Sequence, residues 1–307
     1  MEIRKFALDS AADGLKLACI VCEPEGTVQR LGAVVLVHGM CEHKERYLKL
    51  MEYLSDAGYV CVISDLRGHG ASVLSQNDLG FMYDGGWQAA VEDIALVVRW
   101  TKEHYPTLRT TLFGHSMGSL VVRSFAKRHD DMIDSLIVCG CPSDNPAKTA
   151  GKALAKAIGL TFGWHSRPGL LQTMSFGAYN KPFSNEPYKS AWVCSDRQIL
   201  EEYHSDPLCQ YVFTANGFYN LMGLMQDCYG IKGWKVMRPQ MPVHFISGAQ
   251  DPCRISDEAL AKAVDSMKKA GYTNVSLKIY PNMRHEIHNE TLAPQTVWPD
   301  IVQMLEK

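Results

Sequence analysis

The chain has 307 residues, of which 46% are hydrophobic and 21% charged, the composition of an ordinary globular protein. Its 31 basic and 33 acidic residues leave a net charge of -2, which gives no electrostatic basis for binding nucleic acid. No apolar run approaches the ~18 residues of a membrane span, and the first ten residues lack the apolar stretch of a signal peptide. We therefore expect a cytoplasmic protein without a transmembrane segment.

Ten cysteines raise the question of disulfides or a zinc site. Cys19 and Cys22 have C-x-x-C spacing, but both fall in one predicted strand, where an odd separation sends side chains to opposite faces. No second C-x-x-C pair completes a zinc site. We expect free thiols that serve as small hydrophobic side chains in a reducing compartment, and no metal.

The first half of the chain alternates between strand and helix patterns. Residues up to 22 predict an antiparallel hairpin around an Asp13-Gly14 turn. The next run, 32–37, is continuously apolar, which is typical of a strand buried on both faces of a parallel sheet. The elements that follow are a helix at 46–57, a strand at 59–65, an amphipathic helix at 87–104, a strand and helix within 110–128, and a strand at 135–140. This alternation predicts a doubly wound, mostly parallel sheet with right-handed crossovers.

The alternation of strand and helix patterns stops at Cys141-Pro142. Residues 142–234 are helical in pattern, irregular, and rich in aromatic residues and methionine. Strand and helix patterns then return at 241–248, 257–270, 274–280 and 294–306. We interpret the chain as an α/β core formed by residues 1–141 and 235–307, with a helical cap inserted at 142–234.

The most informative stretch is Gly114-His-Ser116-Met-Gly118. It lies between a predicted strand and a predicted helix, the context in which G-x-S-x-G indicates a nucleophile elbow. Such a turn projects the Ser116 hydroxyl, and the glycines avoid collisions with the neighbouring strand and helix. The N-terminus of the helix directs free N–H groups and a positive dipole end at the same place. The alternative is an ordinary turn whose serine caps the helix.

A nucleophilic serine needs a histidine base, and the histidine needs an orienting carboxylate. In doubly wound hydrolases these follow the serine in the order acid, then histidine, each just past the end of a strand. Asp251 follows the predicted strand at 241–248, and His285 follows the strand at 274–280. We therefore predict Ser116, Asp251 and His285 as the catalytic residues. The rivals are His288 for the base, and Asp206 and Asp227 for the acid.

The reaction also needs two N–H donors for the oxyanion. One is the backbone N–H of Met117, directly after the nucleophile. The other comes from the loop after the strand at 32–37, where Met40 is the natural donor. We interpret His38 as a residue that stabilises this loop rather than as a second base.

With these motifs the chain resembles the monoacylglycerol lipase and lysophospholipase group of α/β-hydrolases, within the serine-aminopeptidase-like branch. The matching pieces are 38–43 with 46–47, 65–72, 114–118, 205–208, 248–251 and His285. The resemblance implies the α/β-hydrolase fold, with no metal and no cofactor. Met40 stands where the family more often has a small residue, which implies a narrower pocket floor.

The cap is rich in apolar residues that suit a flexible acyl chain. Phe218, Leu221 and Met222 are the predicted substrate-binding residues, although most apolar residues of the cap are expected to pack it onto the core. We expect a serine hydrolase that cleaves carboxylic esters of lipid-like substrates such as monoacylglycerols or lysophospholipids. A transient contact with a membrane surface is compatible with this, and the sequence leaves the oligomeric state open.

Two alternatives remain at this point. An amidase or aminopeptidase would use the same three residues, and an aminopeptidase would also present carboxylates from the cap to a free amino group. A non-catalytic binding protein of the same fold is the third interpretation, but it has no use for an intact Ser116, Asp251 and His285.

Overall fold

The computed structural model describes residues 2–26 and 28–306. Met1, Thr27 and Lys307, which belong to the predicted core segments, lie outside the described residues. Within the described residues, eight strands form one sheet in the order β1-β2-β4-β3-β5-β6-β7-β8. The strands are β1 Glu2–Asp9, β2 Lys16–Glu23, β3 Gly32–Val37, β4 Tyr59–Ser64, β5 Thr110–His115, β6 Ser135–Cys139, β7 Val243–Gly248 and β8 Val275–Tyr280.

The sheet is parallel from β4 to β8, and β1 and β2 add an antiparallel hairpin at one edge. The helices are α1 Leu48–Asp56, α2 Gly86–His104, α3 Met117–His129, α4 Lys148–Phe162, α5 Gly169–Phe176, α6 Arg197–Ser205, α7 Ala215–Tyr229, α8 Asp257–Ala270 and α9 Val297–Leu305. Buried side chains of α1 and α9 pack on one face of the sheet, and those of α2, α3 and α8 pack on the other. The predicted doubly wound fold is confirmed.

Two predicted helices begin differently in the structure. The helix expected from Arg46 starts with a 3₁₀ turn, Lys44–Tyr47, before α1. The last helix was expected to begin at Pro294. In the structure Pro294 belongs to a separate 3₁₀ turn, Ala293–Gln295, and α9 begins at Val297. Thr296 separates the two because its backbone, at φ -130° and ψ -63°, departs from helical geometry.

The cysteines behave as small hydrophobic residues. All ten are buried and free. Cys19 packs with Leu15 and Leu17, whereas Cys22 belongs to the cluster on the α1 and α9 face. The two side chains of the C-x-x-C pair therefore lie in different clusters, as expected for an odd separation in a strand.

The stretch between β6 and β7 contains α4, α5, α6 and α7. Helix α7 contacts α4 on one side and the core helices α2 and α3 on the other. This stretch, which we treat as the cap at 142–234, is therefore attached to the core through a buried helix. In the described part of the chain, no helix combines the length and apolarity required to cross a membrane.

Candidate active site

The turn between β5 and α3 holds Ser116 in a strained conformation. Its φ of 53° and ψ of -120° lie in a backbone region that residues other than glycine rarely adopt. The Ser116 N–H donates to the Cys139 carbonyl on β6 at 3.0 Å, which ties the turn to the sheet. A Cβ at Gly114 would lie 2.5 Å from the Gly118 oxygen, and one at Gly118 would lie 2.3 Å from the Val37 oxygen. Glycine is therefore required at both positions for this turn to form.

Ser116, His285 and Asp251 form one hydrogen-bonded chain. The Ser116 Oγ lies 2.8 Å from His285 Nε2, and His285 Nδ1 lies 2.9 Å from Asp251 Oδ2. The other oxygen of Asp251 accepts the Cys253 N–H at 2.8 Å, which fixes the carboxylate. Because a carboxylate accepts the Nδ1 proton, the Nε2 lone pair faces the serine hydroxyl. The geometry is that of a hydroxyl beside a base that a carboxylate orients.

The rival residues lie in other surroundings. His288 is fully buried, with its ring 4.9 Å from that of Tyr47, and burial holds its pKa well below the usual value. Asp206 accepts from His43 Nε2 at 2.7 Å. Asp227 binds the Arg128 guanidinium through both oxygens at 2.7 and 2.8 Å. None of the three residues is hydrogen-bonded to Ser116, His285 or Asp251.

The loop after β3 passes directly beside the nucleophile. A Cβ added at Gly39 would lie 2.9 Å from the Ser116 Cβ. Met40 follows it, and both Met40 and Met117 line the cavity above Ser116. Met117 is the first residue of α3, where the N–H has no partner within the helix. The two backbone amides predicted for the oxyanion hole therefore belong to segments adjacent to Ser116.

Glu42 holds this loop in place, a role that the sequence analysis missed. It is buried, and it accepts the Gly39 N–H, the Tyr47 hydroxyl at 3.1 Å and His115 Nδ1 at 3.0 Å. Burial raises the pKa of Glu42, but the hydrogen bond and charge of His115 outweigh it and hold the pKa well below the usual value. The sequence gives no signal for this role, because the burial of Glu42 and its partners become visible only in the structure.

His38 was predicted to stabilise the loop after β3, and the structure shows that it bonds this loop to the one after β4. Its Nε2 accepts the Leu66 N–H at 2.9 Å, and its Nδ1 donates to the Gly39 carbonyl at 2.8 Å. This tautomer is neutral, and full burial lowers the pKa of His38. Its ring therefore supports the β3 loop instead of serving as a base.

A cavity of about 540 Å³ lies above Ser116 between the core and the cap. Its apolar wall is formed by Met40, Met117, Leu120, Phe176, Leu221, Met222 and Met225. Two of the three predicted substrate-binding residues, Leu221 and Met222, line it. This volume and lining are typical of a small-molecule binding site.

Phe218 requires a correction. It is fully buried and does not line the cavity; its ring packs against Phe213 with the centroids 6.0 Å apart. Phe218 and Leu221 lie only about 60° apart around the axis of α7, but Phe218 lies nearly one turn closer to the N-terminus of the helix, where Phe213 packs against it. Phe218 therefore belongs to the core rather than to the substrate pocket.

These features define an α/β-hydrolase: a mostly parallel sheet, a serine on a strained strand-to-helix turn, and acid and histidine residues at later strand ends. A family model described as serine aminopeptidase, S33, matches residues 29–292, and the chain belongs to this family. The family resemblance predicted from the motifs is confirmed.

The relatives include several lipases. The chain is 27% identical over 263 residues to the monoacylglycerol lipase of Mycolicibacterium smegmatis, covering 84% of this chain and 82% of the relative. It is 26% identical over 288 residues to human monoglyceride lipase, covering 91% of this chain and 82% of the relative. A thermostable carboxyl esterase from Bacillus coagulans superposes with a TM-score of 0.90 at 24% identity, covering 99% of this chain and 98% of the esterase. This structural likeness confirms the predicted fold.

Proposed function

We propose that the protein is a serine hydrolase that cleaves carboxylic esters of lipid-like acyl chains. The observation that carries this proposal is the hydrogen-bonded chain of Ser116, His285 and Asp251 at the floor of a mainly apolar cavity. The relatives named as monoacylglycerol and monoglyceride lipases support the same class of substrate. The substrate is a small-molecule acyl ester.

Acylation begins with the Ser116 hydroxyl. His285 Nε2 takes its proton while Oγ attacks the ester carbonyl carbon, and the carbonyl oxygen becomes an oxyanion. The amides of Met40 and Met117 stabilise that oxygen. The imidazolium, held by Asp251, then protonates the departing alcohol, and an acyl-enzyme ester remains on Ser116.

Deacylation repeats these steps with water. His285 accepts a proton from water, whose oxygen attacks the acyl carbon of the ester on Ser116. The second tetrahedral intermediate collapses, the proton returns to Ser116 Oγ, and the carboxylic acid leaves.

The carboxylates that line the cavity bear on the choice between an ester hydrolase and an aminopeptidase. Among the described residues that line it, the only carboxylates are Glu42 and Glu286. Glu42 is held by His115, Tyr47 and Gly39, and Glu286 pairs with Arg46. The cap carboxylates considered from the sequence do not line the cavity; they are Glu186, Asp196, Glu201, Glu202, Asp206 and Asp227. Glu42 Oε2 makes no hydrogen bond, but Arg46 Nε lies 3.7 Å from it, so a substrate ammonium group would compete with Arg46 at either carboxylate. This favours an ester substrate over one with a free amino group.

The cap also exposes apolar side chains to the outside. Leu160 and Phe162 near the end of α4 are 69% and 74% exposed, and Leu170 and Met174 on α5 are 61% and 63% exposed. We include in the proposal a transient contact of this surface with a lipid membrane, from which an acyl ester could be drawn. A cytoplasmic location is also proposed, on the ground that ten free thiols suit a reducing compartment.

Two assays test the proposal. A fluorophosphonate probe should label the wild-type protein on Ser116 and should not label Ser116→Ala. Monoacylglycerols and p-nitrophenyl esters should be hydrolysed much faster than aminoacyl amides of matched size. Labelling without ester hydrolysis, or a clear preference for substrates with a free amino group, would overturn the proposed substrate class.

A further inference from the structure

The loop that carries His285 is bonded to the cap as well as to the core. The Glu286 N–H donates to the Val193 carbonyl at 2.7 Å, and the His285 N–H points at the Trp192 carbonyl at 3.4 Å. Both acceptors lie in residues 186–196, which we call the cap segment. The backbone of the base is therefore held from the cap side by two consecutive amides.

Arg284, the residue before the base, extends into the same segment. Its guanidinium donates to the Ala191 and Cys194 carbonyls at 2.6 and 3.1 Å, and it forms an ion pair with Glu186. The side chain is largely buried, at 10% exposure. A buried guanidinium that satisfies two backbone carbonyls fixes the path of the segment more strongly than a surface ion pair would.

Glu290 closes the connection from the other side of the loop. One of its oxygens accepts both the Arg284 N–H at 2.8 Å and the Ser195 N–H at 3.0 Å. Its second oxygen accepts the Ser195 hydroxyl. Glu290 is 4% exposed, so this one carboxylate joins the His285 loop and the cap segment in a buried setting.

These bonds place an aromatic side chain against the base. The Trp192 ring centroid lies 5.1 Å from that of His285 and 5.1 Å from that of Tyr179. Trp192 and Tyr179 also line the cavity. Any shift of the cap segment would therefore move the wall beside His285 together with the loop that carries it.

We propose that Arg284 and Glu290 are positioning residues for the base. They lock the cap segment onto the His285 loop, so that the imidazole stays aligned between Ser116 and Asp251 with Trp192 beside it. Neither residue touches the reacting atoms. The inference rests on the proposed ester hydrolysis, because it concerns the base of that reaction.

The test compares Glu290→Ala and Arg284→Met with two controls. Glu290→Gln keeps a carbonyl oxygen that can accept both amides. Arg128→Gln removes another ion pair between cap and core, to Asp227, far along the chain from the base. With p-nitrophenyl acetate, whose short acyl group avoids the apolar wall, we expect Glu290→Ala and Arg284→Met to lower kcat by about 10- to 100-fold with KM within about twofold. Glu290→Gln and Arg128→Gln should stay within about threefold of wild type.

Hydrogen exchange of peptides covering 186–196 and 284–290 gives a readout independent of turnover. Exchange should rise in both peptides in Glu290→Ala and Arg284→Met, and in neither for Arg128→Gln. The inference is overturned by folded Glu290→Ala and Arg284→Met proteins with wild-type kcat, or by an equal kcat loss in Arg128→Gln. If one variant does not fold, the other decides. If the wild type hydrolyses no ester, the proposed function has failed, and fluorophosphonate labelling rates of Ser116 decide the positioning role in place of kcat.

Discussion

At the scale of single residues, the strained backbone of Ser116 is the clearest sign that the chain is built around this hydroxyl. Several contacts must over-determine a conformation with φ of 53°, and here they are the Cys139 carbonyl and the close passage of Gly114 and Gly118. Strain of about 1–3 kcal/mol persists where the surroundings compensate it. The elbow therefore stabilises a reactive arrangement at a cost to the local backbone.

Removing the nucleophile should abolish turnover and leave the fold intact. We expect Ser116→Ala and Asp251→Asn each to lower kcat by roughly 10⁴-fold, because the hydroxyl, the base and the orienting carboxylate act as one unit. His288→Ala is the matched control, since its ring is buried behind the site; it should lose stability but keep most of its kcat. Steady-state kinetics with one ester and thermal unfolding of each variant measure this. If His288→Ala remains folded but loses its activity, the base has been wrongly assigned.

His43 should make the free energy of unfolding depend on pH. Burial lowers its pKa, but hydrogen bonds to Glu45 at 2.8 Å and to Asp206 at 2.7 Å outweigh this and raise it. Because each ring nitrogen faces a carboxylate, both bonds form only with the imidazolium. Glu45 is also bound by Lys44, and its pKa is lowered to about 2, so it stays ionised across this range.

The sign of the effect follows from the raised pKa of His43. The stabilisation is fully present below the pKa of the unfolded histidine, about 6.5, and is lost as the pH rises through the higher folded value. Compared with His43→Gln, the wild type should therefore lose stability on going from about pH 6 to pH 9. Urea unfolding at several pH values measures the difference. An unchanged difference between the two proteins across that range would contradict the assignment.

At the scale of elements, the apolar patterns predicted much of the core because the five strands β3 to β7 are buried along their whole length. The run at 257–270 became α8 with the predicted bounds, since Ser256 caps it and Gly271 ends it. The start of the last helix was wrong because the pattern alone does not reveal the Thr296 backbone. The sequence could not show which residues of α7 reach the cavity either, because Phe218, Leu221 and Met225 are all apolar and only tertiary packing decides which of them line it.

Phe218 and Leu221 on α7 should respond differently to truncation, because only Leu221 lines the cavity. Phe218→Ala removes a core ring and should lower the free energy of unfolding by about 3–5 kcal/mol while leaving the preferred acyl length unchanged. Leu221→Ala enlarges the cavity wall and should shift the preferred ester towards longer or bulkier acyl groups. Denaturant unfolding and kcat/KM for a series of p-nitrophenyl esters separate the effects. A shift in preference caused by Phe218→Ala, with none for Leu221→Ala, would contradict the corrected assignment.

At the scale of the whole molecule, chain order predicted which side chains come together at Ser116 better than it predicted the residues that hold them there. Ser116, Asp251 and His285 follow strand ends, and parallel strands bring their carboxyl ends to one edge, so their proximity follows from the fold. Glu42, Arg284 and Glu290 act through contacts between segments distant in sequence. No periodicity encodes such contacts, and a buried carboxylate in a loop looks like any surface acid until its partners are known.

The core and the cap have different roles in the proposed reaction, and the cap is expected to set the preferred acyl length. In the proposed reaction the core supplies the reacting atoms, whereas α5, α7 and the cap segment supply much of the apolar wall of a cavity of about 540 Å³. Each acyl CH₂ buried there is worth about 0.8 kcal/mol, close to fourfold in kcat/KM. We therefore expect kcat/KM to rise with acyl length through medium chains and to level off where the apolar wall ends. A series of p-nitrophenyl esters or monoacylglycerols from two to sixteen carbons, about two carbons apart, measures this with Ser116→Ala as the blank. A strict preference for acetyl esters would leave the lipid-ester assignment without support and would indicate that the apolar wall does not receive the acyl chain.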